Sequence, residues 1–290
     1  MSARPLDHLV MPVTDIRTAR TRLTELGFTV AADAVHPFGT ENACVYFSDN
    51  SYLEPLGIAD ARKATATAKA GNQFTARNKA FRTRRRVEGL SAIVMHSDDA
   101  EADHQRFLKE GCSGGDLLEF SRVMKLPDGS EITPTFRLAF AADERSPDVF
   151  GITCQRINVP SVDRSALEVH ANSVTGIKAV ILTEPHPSDF LGFFRQVVDN
   201  HELSESYEGL TIRSSNADIL VLNEAGAREH FGLDVPADRG LRGRAVLFSV
   251  ADIAETETLF GVNAIPFIKH DGMILVAHEP GQGIPFAFSE

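Results

Sequence analysis

Apolar residues along this chain keep two rhythms that alternate. Short, mostly apolar runs read as strands. Four of them reach an aspartate, and beyond it the apolar positions recur at helical spacing. The runs are LDHLVMPVTD at 6–15, SAIVMHSDD at 91–99, KAVILTEPHPSD at 178–189 and RAVLFSVAD at 244–252. The changeover at Asp15, Asp99, Asp189 and Asp252 predicts a strand feeding a helix four times over. A repeat on this scale sets the fold and has to be recognised first.

Each run opens a unit. In the first, Thr14 or Asp15 caps a helix whose buried face is Ile16, Ala19, Leu23 and Leu26, and Gly27 stops it. FTVAAD from 28, NACVYFSD from 42 and SYLEPLGI from 51 then read as strands, the last two parted by the turn-prone Asp49, Asn50 and Ser51. The unit is β-α-β-β-β. The second copy has Asp98 or Asp99 as cap, Phe107 and Leu108 facing inward, and Gly111 as stop. Its strands are FSRVMKL from 120, ITPTFRLAFA from 132 and VFGITCQR from 149, with a turn at Pro127, Asp128 and Gly129. The third places Phe190, Phe193, Phe194, Val197 and Val198 on its helix, followed by LTIRSS from 210 and ADILVLN from 217. The fourth has a short helix near 252–260, then AIPFIK, MILVAHE and IPFAFS.

The expected fold is α+β: four βαβββ units paired into two domains, each with a curved mixed sheet. Units at about 5–58 and 88–157 make a first domain, 1–160. The second, smaller domain, 171–290, is expected to be structural. The irregular stretch 158–172, with Pro160, is the expected boundary. Residues 59–87 are rich in Ala, Lys and Arg, and Phe74 and Phe81 stand seven apart. They read as a helix packed on a sheet, with Arg77, Lys79, Arg82, Arg84, Arg85 and Arg86 mostly solvated. The other reading is a basic patch that steers substrate.

Candidate chemistry enters where the repeat breaks. Seven positions before Asp15 stands His8; the matching residues of the other copies are Ala92, Ala179 and Ala245. An imidazole in a buried strand is a metal ligand or an acid–base group when it is not merely core. Glu54 lies in the last strand of the same unit and shares a face with Tyr52 by the period-two rule. Net charge bears on partners: the 290 residues carry −11 and the pI is near 5.4. That argues against nucleic acid or an anionic membrane and leaves a small-molecule ligand. Three widely spaced cysteines, Cys44, Cys112 and Cys154, form neither a disulfide framework nor a zinc ribbon. No signal-like segment and no membrane-length apolar run is present, so a cytoplasmic setting is expected. GxSxG, P-loop and dinucleotide glycine motifs are missing.

The four units, with LDHLV at 6–10, YLEPLGI at 52–58, VFGITCQR at 149–156 and HAN at 170–172, resemble the vicinal oxygen chelate superfamily of glyoxalases, extradiol dioxygenases and bleomycin-resistance proteins. Within it they look like bacterial glyoxalase-like proteins. The resemblance implies a divalent metal (Fe, Mn, Ni or Zn) in a cup of the first domain, with His8 and Glu54 as ligands and Glu54 also catalytic. It implies a histidine just after the Cys154–Gln155 pair, where this chain has Arg156. Arginine cannot ligate a metal, but its fork binds carboxylate or phosphate. Arg156, Gln155, His36 and His170 are therefore the expected substrate-binding residues, and a third ligand would come from Gln155, His36, His96, His104 or a second chain. Two functions follow. One is a metal-dependent lyase or isomerase, or a dioxygenase, acting on a small oxygenated substrate. The other is a resistance-type binder that uses the same cup with no metal. A homodimer is compatible with both.

Overall fold

The computed structural model describes residues 3–85, 88–125, 131–159, 163–200 and 203–290. The turn expected at Pro127, Asp128 and Gly129, and Pro160 and Arg86, expected in the boundary and in a helix, lie outside that set.

The four units are present. Unit one comprises β1 (Leu6–Pro12), α1 (Ile16–Glu25), β2 (Ala34–Val35), β3 (Thr40–Asn42), β4 (Val45–Tyr46) and β5 (Tyr52–Ile58). Two helices follow, α2 (Ala61–Lys69) and α3 (Gln73–Arg85). Unit two has β6 (Ala92–His96), α4 (Ala100–Lys109), β7 (Leu118–Ser121), the small ribbon β8 (Met124–Lys125) and β9 (Glu131–Ile132), β10 (Thr135–Ala141) and β11 (Phe150–Ile157). Unit three has β12 (Val174–Thr183), α5 (Leu191–Val198), β13 (Leu203–Glu205), β14 (Gly209–Arg213) and β15 (Asp218–Leu222), then the connecting helix α6 (Glu224–Phe231). Unit four has β16 (Arg242–Val250), α7 (Ile253–Val262), β17 (Ile268–His270), β18 (Met273–Val276) and β19 (Phe286–Ser289).

In every unit the opening strand pairs parallel with the closing one: β1 with β5, β6 with β11, β12 with β15, β16 with β19. Opening strands of paired units meet antiparallel, β1 on β6 and β12 on β16. The result is two curled mixed sheets, ordered β2-β3-β5-β1-β6-β11-β10-β7 and β13-β14-β15-β12-β16-β19-β18-β17. One face of both sheets packs into a shared core with the helices. Leu9, Met11, Leu53 and Ile93 meet Val180, Phe248, Phe286 and Phe288 there, with Phe107, Phe194 and Phe260 from the helices. The alternate residues, Val10, Leu56, Ala92, Val94, Ile152 and Cys154, line a separate cup on the first sheet. Among the described residues no helix is long and apolar enough to cross a membrane.

Three of the four aspartates cap their helices. Asp15 accepts from Thr18 N, Asp99 from Ala102 N, and Asp252 from Ala254 N and Glu255 N. Asp189 does not: Pro187–Phe190 forms a 3₁₀ turn that contains it, and α5 begins behind that turn with no side-chain cap. Asp15 also accepts from the Thr18 hydroxyl at 2.8 Å. Asp15→Ala is expected to cost about 1 kcal/mol in urea denaturation, and a loss below experimental error would show that the cap is dispensable.

Three expectations fail. Leu108, read as facing inward beside Phe107, is on the exposed face of α4. The stretch 28–33 is not a strand. Its N–H groups go elsewhere, Phe28 N to Leu23 O, Thr29 N to the His170 ring and Ala31 N to Cys44 O, which anchors the buried Phe28 in the shared core. The described part of the 59–87 stretch holds two helices, parted at Gly71 (φ 94°), and their arginines are not all solvated. Arg82 donates to Val13 O and Leu56 O, Arg77 to Gly114 O while stacking over Phe150, and Arg84 and Arg85 reach the buried Asp148. A guanidinium at a strand end finds orphan carbonyls there, and its long stem covers apolar surface.

Candidate active site in the cup of the first sheet

Register decides which side chains enter the cup. In the parallel pairing of β1 and β5, His8 lies opposite Tyr52 and Val10 opposite Glu54. All four therefore project to the same face. Reading the same offsets through the other units puts Ala92 and Ile152, Ala179 and Leu220, and Ala245 and Ala287 at the places of His8 and Glu54. The first unit alone brings an imidazole and a carboxylate together in this way. The cup of the second sheet is apolar and encloses about 300 Å3 between residues such as Phe231, Phe267, Leu275 and Phe286.

Strict alternation would turn Asp7 to the opposite face. The β1–β6 register slips between Leu6 and His8, and that bulge swings the Asp7 side chain to the His8 side. Asp7 Oδ1 lies 2.5 Å from His8 Nδ1, and Arg156 Nη2 donates to the same carboxylate at 2.7 Å. His8 then presents Nε2 to Glu54 Oε2 at 3.5 Å and stacks on Tyr52 with ring centres 4.3 Å apart. The other Glu54 oxygen accepts from Asn42 Nδ2 at 2.6 Å. Asp7, His8 and Glu54 are all buried.

His36 completes the group. It sits in the β2–β3 turn, closed by His36 N donating to Thr40 O and Gly39 N to His36 O. Gly39 adopts φ 95°, and a Cβ there would fall 2.7 Å from the backbone of Ala64, so this turn needs glycine against α2. His36 Nδ1 lies 2.9 Å from Thr40 Oγ1, and Nε2 lies 3.6 Å from Glu54 Oε1. Phe38 stacks on its ring.

The charges follow from these contacts. Burial would lower the pKa of His8, but its bonds to Asp7 and Glu54 and their charges raise it above the ordinary value. Burial would raise both carboxyls. Arg156 and His8 hold Asp7 below its usual range, and His8, His36 and Asn42 do the same for Glu54. Burial pushes His36 down to about 4, helped by the charges of Arg122 and His8 against the pull of Glu54, so this imidazole is neutral at pH 7. Burial also drives Cys154, at the cup wall, far up; it is an inert thiol.

The void among His8, His36, Asn42, Tyr52 and Glu54 is about 40 Å3, walled by Phe38, Phe74, Phe120, Phe136 and Leu138. Arg122, just past β7, reaches this wall with its guanidinium 5.5 Å from the Phe136 ring centre. Among the described residues no group of three or more His, Cys, Asp or Glu side chains is arranged to hold a metal. His8 Nε2 and Glu54 thus amount to two donors of fitting chemistry. The carboxylate on His8 Nδ1 is the orienting partner that metal-bound imidazoles commonly have.

Several expected site residues stand elsewhere. Arg156 is behind the void, engaged with Asp7 and lying over Tyr52. Gln155 points away from the cup: its amide donates to Asp98 O and its oxygen accepts from Ala100 N at the start of α4. His170 is a strut at the junction of the two halves, accepting from Thr29 N at 3.0 Å and donating to Tyr46 O at 2.9 Å between Phe28 and Phe47. His96 pairs with the exposed Asp98, outside the cup. Sequence reasoning missed Asp7, Asn42 and Arg122 at the site. For Asp7 the one available signal was a carboxylate beside His8 in an otherwise apolar strand.

Paired βαβββ units that share a curled mixed sheet are the architecture of the vicinal oxygen chelate superfamily, and this chain has two such pairs. Within it the chain belongs to the family of the glyoxalase-like domain, whose model matches residues 6–198. No curated protein matches the chain in sequence. Among solved structures it is similar to a hypothetical protein from Staphylococcus aureus, with a TM-score of 0.67, 12% identity and 98% of each chain covered. It is also similar to a triple mutant of 4-hydroxymandelate synthase from Streptomyces coelicolor, at 0.61 and 12%, covering 99% of this chain and 92% of that one. A Mn(II)-bound glyoxalase from Novosphingobium aromaticivorans follows at 0.55 and 11%, with 99% and 82% covered. At these identities the likeness is one of fold.

Proposed function

We propose that this chain is a glyoxalase-like lyase or isomerase. Its small oxygenated substrate binds in the first cup, beside a divalent cation held by His8 Nε2 and Glu54. The observation that carries this reading is the buried line Asp7–His8–Glu54. An imidazole fixed at Nδ1 by one carboxylate faces a second carboxylate with its other nitrogen, and a cation between them, proton or metal, satisfies both. A bound metal would supply Lewis-acid polarisation of a substrate carbonyl. Two protein donors leave the remaining positions to water and to vicinal substrate oxygens. His36 is neutral, faces the same carboxylate and supports its placement. Glu54 is the group to take up or return a proton next to a bound carbonyl, and the phenylalanine walls exclude water from it.

Thermal shift with Mn(II), Ni(II) and Zn(II), before and after EDTA, tests the reading. At least one metal is expected to raise the Tm of the wild type by several degrees, since saturation at about 100 Kd stabilises by roughly 2.7 kcal/mol. His8→Ala is expected to abolish the shift. A wild type that no divalent metal stabilises, and that holds none after mild purification, would sink the metal site. One observation would then favour the metal-free binder: Arg156, where the resemblance implies a histidine, is spent on Asp7.

A further inference from the structure

Among the described residues, no hydrogen-bond acceptor or carboxylate answers the Arg122 guanidinium in the cup. Arg122 Nε and Nη1 are both closed off from solvent and have no hydrogen-bond partner. The guanidinium rests on the Phe136 ring and lines the same void as His8, His36 and Glu54. The nearby carboxylates are already engaged. Asp7 is taken by Arg156 and His8, and Glu54 by Asn42 and His8; among the described residues neither pairs with Arg122. Two N–H groups shielded from water without an acceptor are a cost to the fold, and such a cost persists where a ligand supplies the missing acceptor.

We infer that Arg122 binds the carboxylate of the ligand, so that the cup takes small monocarboxylic acids with an apolar, aryl-sized body. The fork geometry of a guanidinium fits a carboxylate with two parallel bonds. The void of about 40 Å3 has the size of one such group rather than of a whole substrate. The rest of the ligand would therefore lie along the phenylalanines at the wall. Phe120 and Phe136, stacked with centres 5.3 Å apart, flank Arg122, and Phe38 meets Phe120 edge-on. A carboxylate with an aryl body matches both features, whereas a polyol does not match the aromatic walls and an organic cation does not match the guanidinium. The inference rests on the proposed function only in taking the first cup as the binding site; it needs neither the metal nor catalysis.

Calorimetric titration of the full-length protein with benzoate, phenylacetate and 3-phenylpropanoate, each against its neutral amide, tests the inference. The wild type is expected to bind at least one acid about tenfold or more tighter than its amide. Arg122→Gln is expected to erase that preference, and Arg122→Lys to keep part of it through charge without the fork. Neither variant should lower the Tm in the absence of ligand, because Arg122 makes no ion pair among the described residues. Equal binding of acid and amide, an unaltered preference in Arg122→Gln, or no binding of any of the acids overturns the inference. The metal experiment reports separately. If Arg122 selects carboxylates while no metal shifts the Tm, the enzyme reading falls and this one stands. If metals bind through His8 but acids and amides bind alike, the reverse holds.

Discussion

Asp7→Ala is expected to lower the unfolding free energy by about 3–5 kcal/mol, the cost of removing one partner of a buried charge pair. Asp7 is buried under Arg156 and His8, which both direct donors at its carboxylate. Its removal leaves the Arg156 guanidinium, which is mostly covered, without a counter-charge, and frees the His8 ring to rotate. Asp7→Asn should cost less, because an amide oxygen still accepts one of the bonds. Pairing Asp7→Ala with Arg156→Met should restore part of the loss, and the coupling in that cycle should reach about 1–3 kcal/mol. Urea denaturation of the four proteins gives the answer. A single mutant within about 0.5 kcal/mol of wild type would show that the pair is not held as described.

The second large effect concerns Glu88, which ties the two halves together. Its carboxylate accepts from Thr14 N at 2.8 Å, just beyond β1, and from Gly281 N at 2.7 Å and Gly283 N at 3.3 Å in the segment leading to β19. Gly281 has φ 88°, and a Cβ there would come within 2.7 Å of the Ala19 backbone, so this segment lies hard against α1. Glu88→Ala leaves three backbone donors without their acceptor, and about 2–3 kcal/mol is expected at neutral pH. Burial alone would raise the Glu88 carboxyl. The His278 contact and the three N–H groups outweigh it and hold the pKa at about 2 against an ordinary 4.5. A depressed folded pKa means that the contribution is complete above pH 4.5 and is lost as the pH falls from there through 2. The gap in stability between wild type and Glu88→Gln should therefore be widest above pH 4.5 and close toward pH 2. A constant gap across that interval would refute the assignment.

The comparison of sequence with structure is most instructive around β1. His8 was legible because the repeat breaks there, alternation put Glu54 on a face with Tyr52, and the family resemblance joined the two. Asp7 was not legible by the same rule. Alternation assigned it to the opposite face, and the bulge that turns it inward arises from the pairing of β1 with β6, which lie some 85 residues apart in sequence. His36 could be named but not placed, since a turn residue obeys no period. Its position depends on Gly39 packing against α2. Arg156 was expected to meet an external anion. Across β6 it finds an internal one, a pairing between strands that no spacing within either strand announces.

What the sequence determined by itself was the local order: four strands each reaching an aspartate and feeding a helix, two paired sheets, and an imidazole in the opening strand of the first unit alone. These depend on periodicity and capping, which are properties of neighbours along the chain. The tertiary structure decided which charges are satisfied. It gave Asp7 to Arg156, His170 to the junction of the halves and the arginines of α3 to carbonyls and Asp148, and among the described residues it left Arg122 without an ionic partner in the cup. The reason is physical. A buried charge is stable only beside a partner, and partners are chosen by distances across the fold, which the order of residues does not contain.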